Sequence, residues 1–141
     1  MFIRTYSLLT VTFLLSFSLV FADDAPKMQT FDNATGIEID SLNIDGVNAF
    51  LTDVVSSNDP DAPITCGLFR MEAGEPLVYT YTYDEAKVII EGEMTIAEEG
   101  GETFTAGPGD VVYFDEGATI TFTSDSSGLG FYCGQRALGE L

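Results

Sequence analysis

Histidine and tryptophan are both absent from this chain of 141 residues. The lack of histidine removes the commonest metal ligand and the commonest general base of enzymes. Basic residues are few: 5 against 23 acidic ones, a formal net charge of −18. A surface so acidic repels phosphate backbones, nucleotides and anionic membranes, which excludes nucleic acid as a partner. Phosphoryl transfer is excluded as well, because it depends on concentrated positive charge. No glycine-rich loop ends in Lys-Ser or Lys-Thr, and Lys27, Arg70, Lys87 and Arg136 are scattered along the chain. The acids lack the spacing of an EF-hand, so the stretch SSNDPDAP at 56–63 reads as a solvated loop and not a calcium site.

What the chain does have begins with an apolar N-terminus. Arg4 precedes an apolar run over residues 7–21 that is too short to cross a bilayer comfortably. Val20-Phe21-Ala22 then supplies a small-residue cleavage pattern. Together these predict a secretory signal peptide, residues 1–22, and a secreted protein with no membrane association once it is cut. Cleavage removes 22 of the 141 residues and one of the 5 basic ones, leaving 119 residues with 4 basic against 23 acidic. That length suits one domain with one core. In an oxidising compartment the two cysteines, Cys66 and Cys133, are expected as one disulfide in preference to two free thiols. Asn33-Ala34-Thr35 is an N-glycosylation acceptor, which makes Asn33 a candidate for a glycan.

Residues 23–36 form a polar leader. Two short alternations follow, Ile37-Glu38-Ile39-Asp40 and Leu42-Asn43-Ile44-Asp45, and predict strands flanking a turn at Asp45-Gly46. After the turn-forming residues 56–63, strands are expected over 64–71, 77–83, 87–96 with a kink at Gly92, 102–105, 111–114, 119–123 and 129–134. Gly or Pro punctuates most of the gaps. Many short strands with no amphipathic helix imply an all-β sandwich or barrel. The organisation expected is a signal peptide at 1–22, a leader with the first strands at 23–62, and the main domain at 63–141.

The stretch GEPLVYTYTYDEAKVIIEG, residues 74–92, carries the most information. Residues two apart in a strand point to one face, so Tyr79 and Tyr81 should share an interior, with Glu85 entering from the next strand. Glu85 stands seven residues before Gly92, and a second spaced stretch, GDVVYFDEGATI, runs over 109–120. These two stretches resemble the paired motifs of the cupins. Tyr79 and Tyr81 fall where that pattern has two metal-binding histidines, Glu85 where it has the carboxylate, Asp115 where it has proline and Ile120 where it has the third histidine. The wording TYDEAKVIIEGEMTI, GPGDVVYFDEGATITF and GLGFYCGQR is similar to the EutQ-like ethanolamine-utilisation cupins, within the wider RmlC-like jelly-roll group, over about residues 64–136.

The resemblance implies an all-β cupin, an RmlC-like jelly-roll β-barrel. Tyr83, Asp84 and Glu85 match the family's Tyr-Asp-Glu wording, and Gly109 and Asp110 its Gly-Asp wording. The bacterial relatives are cytoplasmic and linked to acetate kinase activity and microcompartments, a setting this leader does not share. In the jelly-roll order the strand before the first motif lies beside the last strand, which would pair Cys66 with Cys133.

The ligand positions of a cupin metal site are here Tyr79, Tyr81, Glu85 and Ile120. A neutral phenol is a poor ligand and isoleucine is none, so no metal and no other cofactor is expected. The chemistry that survives is acid–base. Tyr79, Tyr81, Glu85 and Lys87 are the candidate catalytic residues of an isomerase, cyclase or lyase type of enzyme. Tyr79, Tyr81 and Glu85, with Tyr113 at the rim, are the candidate ligand-binding residues. The opposing reading is structural, with tyrosines that fill the barrel interior with their hydroxyls satisfied and Glu85–Lys87 as a plain ion pair. For Lys87 taken alone an outward, solvated position is expected, through a twist of its strand at Glu85. The function expected first is a secreted, metal-independent cupin that binds a small organic molecule in its barrel, and the assembly open to it is a homodimer.

Overall fold

The computed structural model describes residues 27–141. The expected signal peptide therefore lies outside the described residues. Residues 31–141 gather into one compact unit, and 27–30 carry no regular element.

Nine strands run in order along that unit. They are β1 (Ala49–Ser56), β2 (Thr65–Glu72), β3 (Leu77–Thr80), β4 (Glu85–Gly92), β5 (Met94–Glu98), β6 (Thr103–Ala106), β7 (Val111–Phe114), β8 (Thr119–Thr123) and β9 (Ser127–Gly134). Every pairing is antiparallel, and the strands form a five-stranded sheet, β1-β2-β9-β4-β7, and a four-stranded one, β3-β8-β5-β6. The period of two sorts the side chains between the faces. On β4, Glu85, Lys87 and Ile89 are buried while Ala86 is exposed, and on β8 Ile120 and Phe122 are buried between partly exposed threonines. The inward residues of both sheets meet in one core that includes Phe69, Met71, Ile89, Met94, Phe114 and Phe122. The chain leaves the first sheet for the second at Gly92, whose φ of 63° is a left-handed conformation that suits glycine.

The disulfide joins Cys66 to Cys133. The two residues face each other across the β2–β9 pair, as the jelly-roll order requires. Asp84 and Asp110 hold turns: Asp84 Oδ1 accepts from the Glu116 N–H at 2.8 Å, and Asp110 Oδ2 accepts from the Gly107 N–H at 2.9 Å.

The alternations at 37–45 do not form the expected strands. That segment has a short 3-10 turn before it (Ala34–Gly36) and makes only an isolated bridge, Ser41 to Phe50. Its apolar residues serve a different contact: Ile39 packs with Leu68 and Leu129 on the outer face of the five-stranded sheet. Asn43, at φ 56°, breaks the extended run. Asn33 is exposed just before the 3-10 turn.

Candidate functional site

The strand parities carry a set of polar side chains into the space between the sheets. Tyr79 ends the inward series of β3, while Tyr81 and Tyr83 sit in the connection to β4, which begins at Glu85. Glu85 pairs with Phe114 on one side and Gly134 on the other, and Lys87 with Val112 and Tyr132, which fixes both side chains inside the sandwich. Room for the lysine stem comes from β9: a Cβ on Gly130 would lie 3.0 Å from Lys87 Cγ. A larger residue there would press on the stem.

These residues line a cavity of about 310 Å³. Its walls are mainly apolar, with Leu51, Phe69, Leu77 and Phe122 among them, and its polar groups are three phenols, one carboxylate and one ammonium. Ile44, Val78 and Leu141 also line it and are 46, 60 and 59% exposed, so the cavity opens to the surface past an apolar rim.

The polar groups are connected. Tyr81 Oη donates to Glu85 Oε1 at 3.0 Å, and Lys87 Nζ donates to the same oxygen at 2.8 Å. Tyr79 Oη donates to Tyr83 Oη at 3.2 Å. The Lys87 and Glu85 side chains are only 3 and 4% exposed. Four rings surround the ammonium, with Nζ 4.5 Å from the centroid of Phe69, 5.2 Å from Phe122, 5.5 Å from Tyr132 and 5.6 Å from Phe114. Tyr81 stacks on Phe114 at 4.7 Å and meets Tyr79 edge-on at 4.9 Å. Burial and the neighbouring Glu85 charge push the Tyr81 phenol well above its ordinary pKa, and burial with the Tyr79 hydrogen bond does the same for Tyr83. Both stay protonated and able to donate.

The cavity thus brings together Tyr79, Tyr81, Glu85 and Lys87. Lys87 is the correction: its outward reading fails because it shares the inward parity of Glu85 and its side chain is buried against that carboxylate. Tyr113 is a second correction. It is 57% exposed on β7 and lies outside this cavity, because its neighbour Phe114 takes the inward position. Sequence reasoning missed Tyr83 as a lining residue, although its spacing from Tyr79 and Tyr81 continues their period. It also missed a second ion pair, half-buried Asp53 with buried Arg136, whose members stand 83 residues apart with no local signal.

The positions equivalent to a cupin's metal ligands do not fit a divalent cation. Glu85 supplies their only carboxylate, the ammonium of Lys87 already sits 2.8 Å from it, and Ile120 is a buried hydrocarbon. Among the described residues no other cluster of acids or cysteines could hold a metal.

Two antiparallel sheets enclosing a side-chain-lined cavity, with the connections seen here, define a cupin jelly roll. A family model described as the EutQ-like cupin domain matches residues 58–127. The chain is 34% identical over 77 residues to the acetate kinase EutQ of Escherichia coli, covering 55% of this chain and 32% of that protein. It is 30% identical to the crystal structure of the ethanolamine utilization protein q of Salmonella typhimurium, with a TM-score of 0.56, covering 64% of this chain and 71% of that one. The polyketide cyclase RemF of Streptomyces resistomycificus shares the fold at 14% identity, TM-score 0.61, over 76% of this chain and 79% of that one. The chain belongs to the EutQ-like cupin family. It spans about a third of the length of the curated relatives it matches.

Proposed function

We propose that this protein is a secreted, metal-independent EutQ-like cupin that holds a small organic molecule in its barrel. The observation that carries the binding reading is the cavity of about 310 Å³ with the Tyr81–Glu85–Lys87 chain in its wall. Its size falls at the lower end of the roughly 300–1,000 Å³ of small-molecule sites, and a few convergent polar groups among apolar walls are their usual composition. Secretion is supported by the apolar N-terminal run with its cleavage pattern and by the Cys66–Cys133 disulfide. Exposed Asn33 would then be open to glycosylation.

The test is an NMR titration of the full chain with benzyl alcohol as the probe. Saturable shifts confined to Tyr79, Tyr81, Tyr83 and Phe122 are expected, and weaker binding in Glu85→Gln. A titration of benzyl alcohol and a panel of small aromatic acids and aldehydes that leaves those four residues unmoved would overturn the reading. A secreted product beginning at Asp23 is the expected mass-spectrometric result for the signal peptide.

A second reading is favoured by the hydrogen-bonded chain itself. A carboxylate that accepts from both a phenol and an ammonium can take up and return a proton, as an isomerase, cyclase or lyase requires. Acetate kinase activity, for which the longer relatives are named, does not come over to this chain on these residues: the cavity holds one cation, already paired, and no phosphate-binding loop.

A further inference from the structure

We propose that Lys87 is a nucleophile and that the cavity captures a small aldehyde or ketone with an apolar substituent as an imine. This deepens the binding reading above and rests on it.

Three features of the lysine carry the inference. First, among the described residues its only hydrogen bond goes to Glu85 Oε1, at 2.8 Å, and its remaining surroundings are ring faces and cavity. A lysine kept only to complete the fold would be expected to have its ammonium fully tied down. Second, Glu85 is placed to take a proton from Nζ directly, and Tyr81 holds that carboxylate from the other side. Third, the amine is buried among apolar walls, so a ligand that fills the cavity displaces the solvent around it, which protects an imine from hydrolysis.

The step balances within the site. Glu85 accepts a proton from the ammonium, and the free amine attacks the carbonyl carbon, forming the C–N bond as the C–O π pair moves to oxygen. A proton passes from nitrogen to that oxygen to give the carbinolamine. Glu85 then returns its proton to the hydroxyl, the C–O bond breaks, water leaves, and the nitrogen lone pair closes the C=N bond. The product is a protonated imine beside the Glu85 carboxylate. Its positive charge sits where the ammonium's did, so the four rings and the carboxylate keep a cation to stabilise. Capture thus leaves the buried charge balance unchanged, whereas acylation, which turns the amine into a neutral amide, would not.

The ligand class follows from the walls. Phe69, Leu77 and Phe122 favour an aliphatic or aromatic substituent, and with Glu85 beside the amine a second carboxylate on the ligand would be repelled. The candidate is therefore a neutral carbonyl compound and not a keto acid.

The chain offers an internal control, since its only lysines are Lys27 and Lys87 and Lys27 is exposed. The full-length secreted protein would be incubated with isobutyraldehyde or benzaldehyde and sodium cyanoborohydride at neutral pH, then mapped by peptide mass. Expected is one reduced adduct on the Lys87 peptide, forming at least about tenfold faster than on Lys27, and slowed by about 100-fold in Glu85→Gln, which removes the base. Adducts on Lys27 and the α-amino group with none on Lys87 overturn the proposal, and the wild-type map decides this even if a variant misfolds. Should benzyl alcohol still shift the cavity tyrosines in that case, imine capture fails while binding stands. If neither probe enters, both fail.

Discussion

Among the described residues two ion pairs have a buried cation, and they are built differently. Asp53 on β1 is half-buried and held by four donors. It accepts from both terminal nitrogens of Arg136, from Tyr132 Oη and from the Gly139 N–H at 2.8 Å. Burial pushes the Asp53 carboxyl up, but the bonds from Arg136, Tyr132 and Gly139 outweigh it and hold the group below its ordinary 3.8. This pair ties the C-terminal residues to the first strand across 83 positions and fills both carboxylate oxygens with donors. Glu85 and Lys87, as a pair, are more deeply buried yet open. Among the described residues Oε2 of Glu85 accepts no hydrogen bond, the ammonium makes a single one, and both groups line a cavity. The contrast separates two uses of buried charge. Where the carboxylate's acceptor positions are all taken up by donors of the protein, as at Asp53, the charges hold chain segments together even though Nε of Arg136 is left without a partner. Where valences are left facing a space, they are available to something that enters it.

Breaking the closed pair should have the largest effect. Asp53→Ala would leave Arg136 buried without its carboxylate and should cost about 3–5 kcal/mol in urea unfolding. The same pair sets an acid limit. Since the folded pKa of Asp53 lies below the unfolded one, its contribution is complete above about pH 3.8 and is lost as pH falls through the folded value. The wild type should therefore lose stability below that pH more steeply than Asp53→Asn. The open pair should respond in the opposite sense. Glu85→Gln combined with Lys87→Met replaces it with groups of similar volume, and stability should stay level or rise, by at most about 1–4 kcal/mol. Occupancy of the cavity by benzyl alcohol should weaken in the same variant. A double variant as unstable as Asp53→Ala would erase the distinction between the pairs.

The difference between the pairs also explains what could be read from the chain alone. The open pair is local: Tyr79, Tyr81, Glu85 and Lys87 lie within nine positions, and the period of two turns Tyr79 on β3 and Glu85 and Lys87 on β4 toward the space between the two sheets. Most strands from 64 onward are legible for the same reason, since alternation and turn residues are short-range signals. But the strand expected over 87–96 is two, β4 and β5, in different sheets, and the one expected over 77–83 stops at Thr80. The cysteine pairing needed the order of strands as well, which the cupin spacing supplied. Asp53 and Arg136 gave no such signal, because nothing in either neighbourhood refers to the other. The segment 37–45 misled because an alternation reports which side chains are covered, and Ile39 is covered by a sheet face instead of by a neighbouring strand. Tyr113 misled because a motif places a strand near a cavity without fixing its parity.

The smallest effect sharpens the comparison at its finest point, one phenol on each carboxylate. Tyr132 is fully buried and donates to Asp53, while Tyr81 donates to Glu85 at the cavity wall. Removing the buried Tyr132 hydroxyl takes a donor from Asp53 and an acceptor from Arg136 Nη2, so Tyr132→Phe should cost about 1.5–3 kcal/mol, as for a bond to a charged group. Tyr81→Phe keeps the ring stacked on Phe114, and solvent entering the cavity can serve Glu85 in place of the hydroxyl. It should cost only about 0.5–1.5 kcal/mol. Burial, then the Glu85 charge and hydrogen bond, raise the Tyr81 phenol's pKa, so its contribution is complete below the unfolded value near 10 and is lost only as pH rises through the folded one. Tyr81 should thus contribute nothing to the tyrosinate absorbance of the folded protein as pH passes 10. The alkaline titrations of wild type and Tyr81→Phe should overlay until unfolding begins, with the variant then reaching a plateau one phenol lower. A missing phenol already visible near pH 10 would mean that Tyr81 meets solvent freely and that the carboxylate it holds is not desolvated.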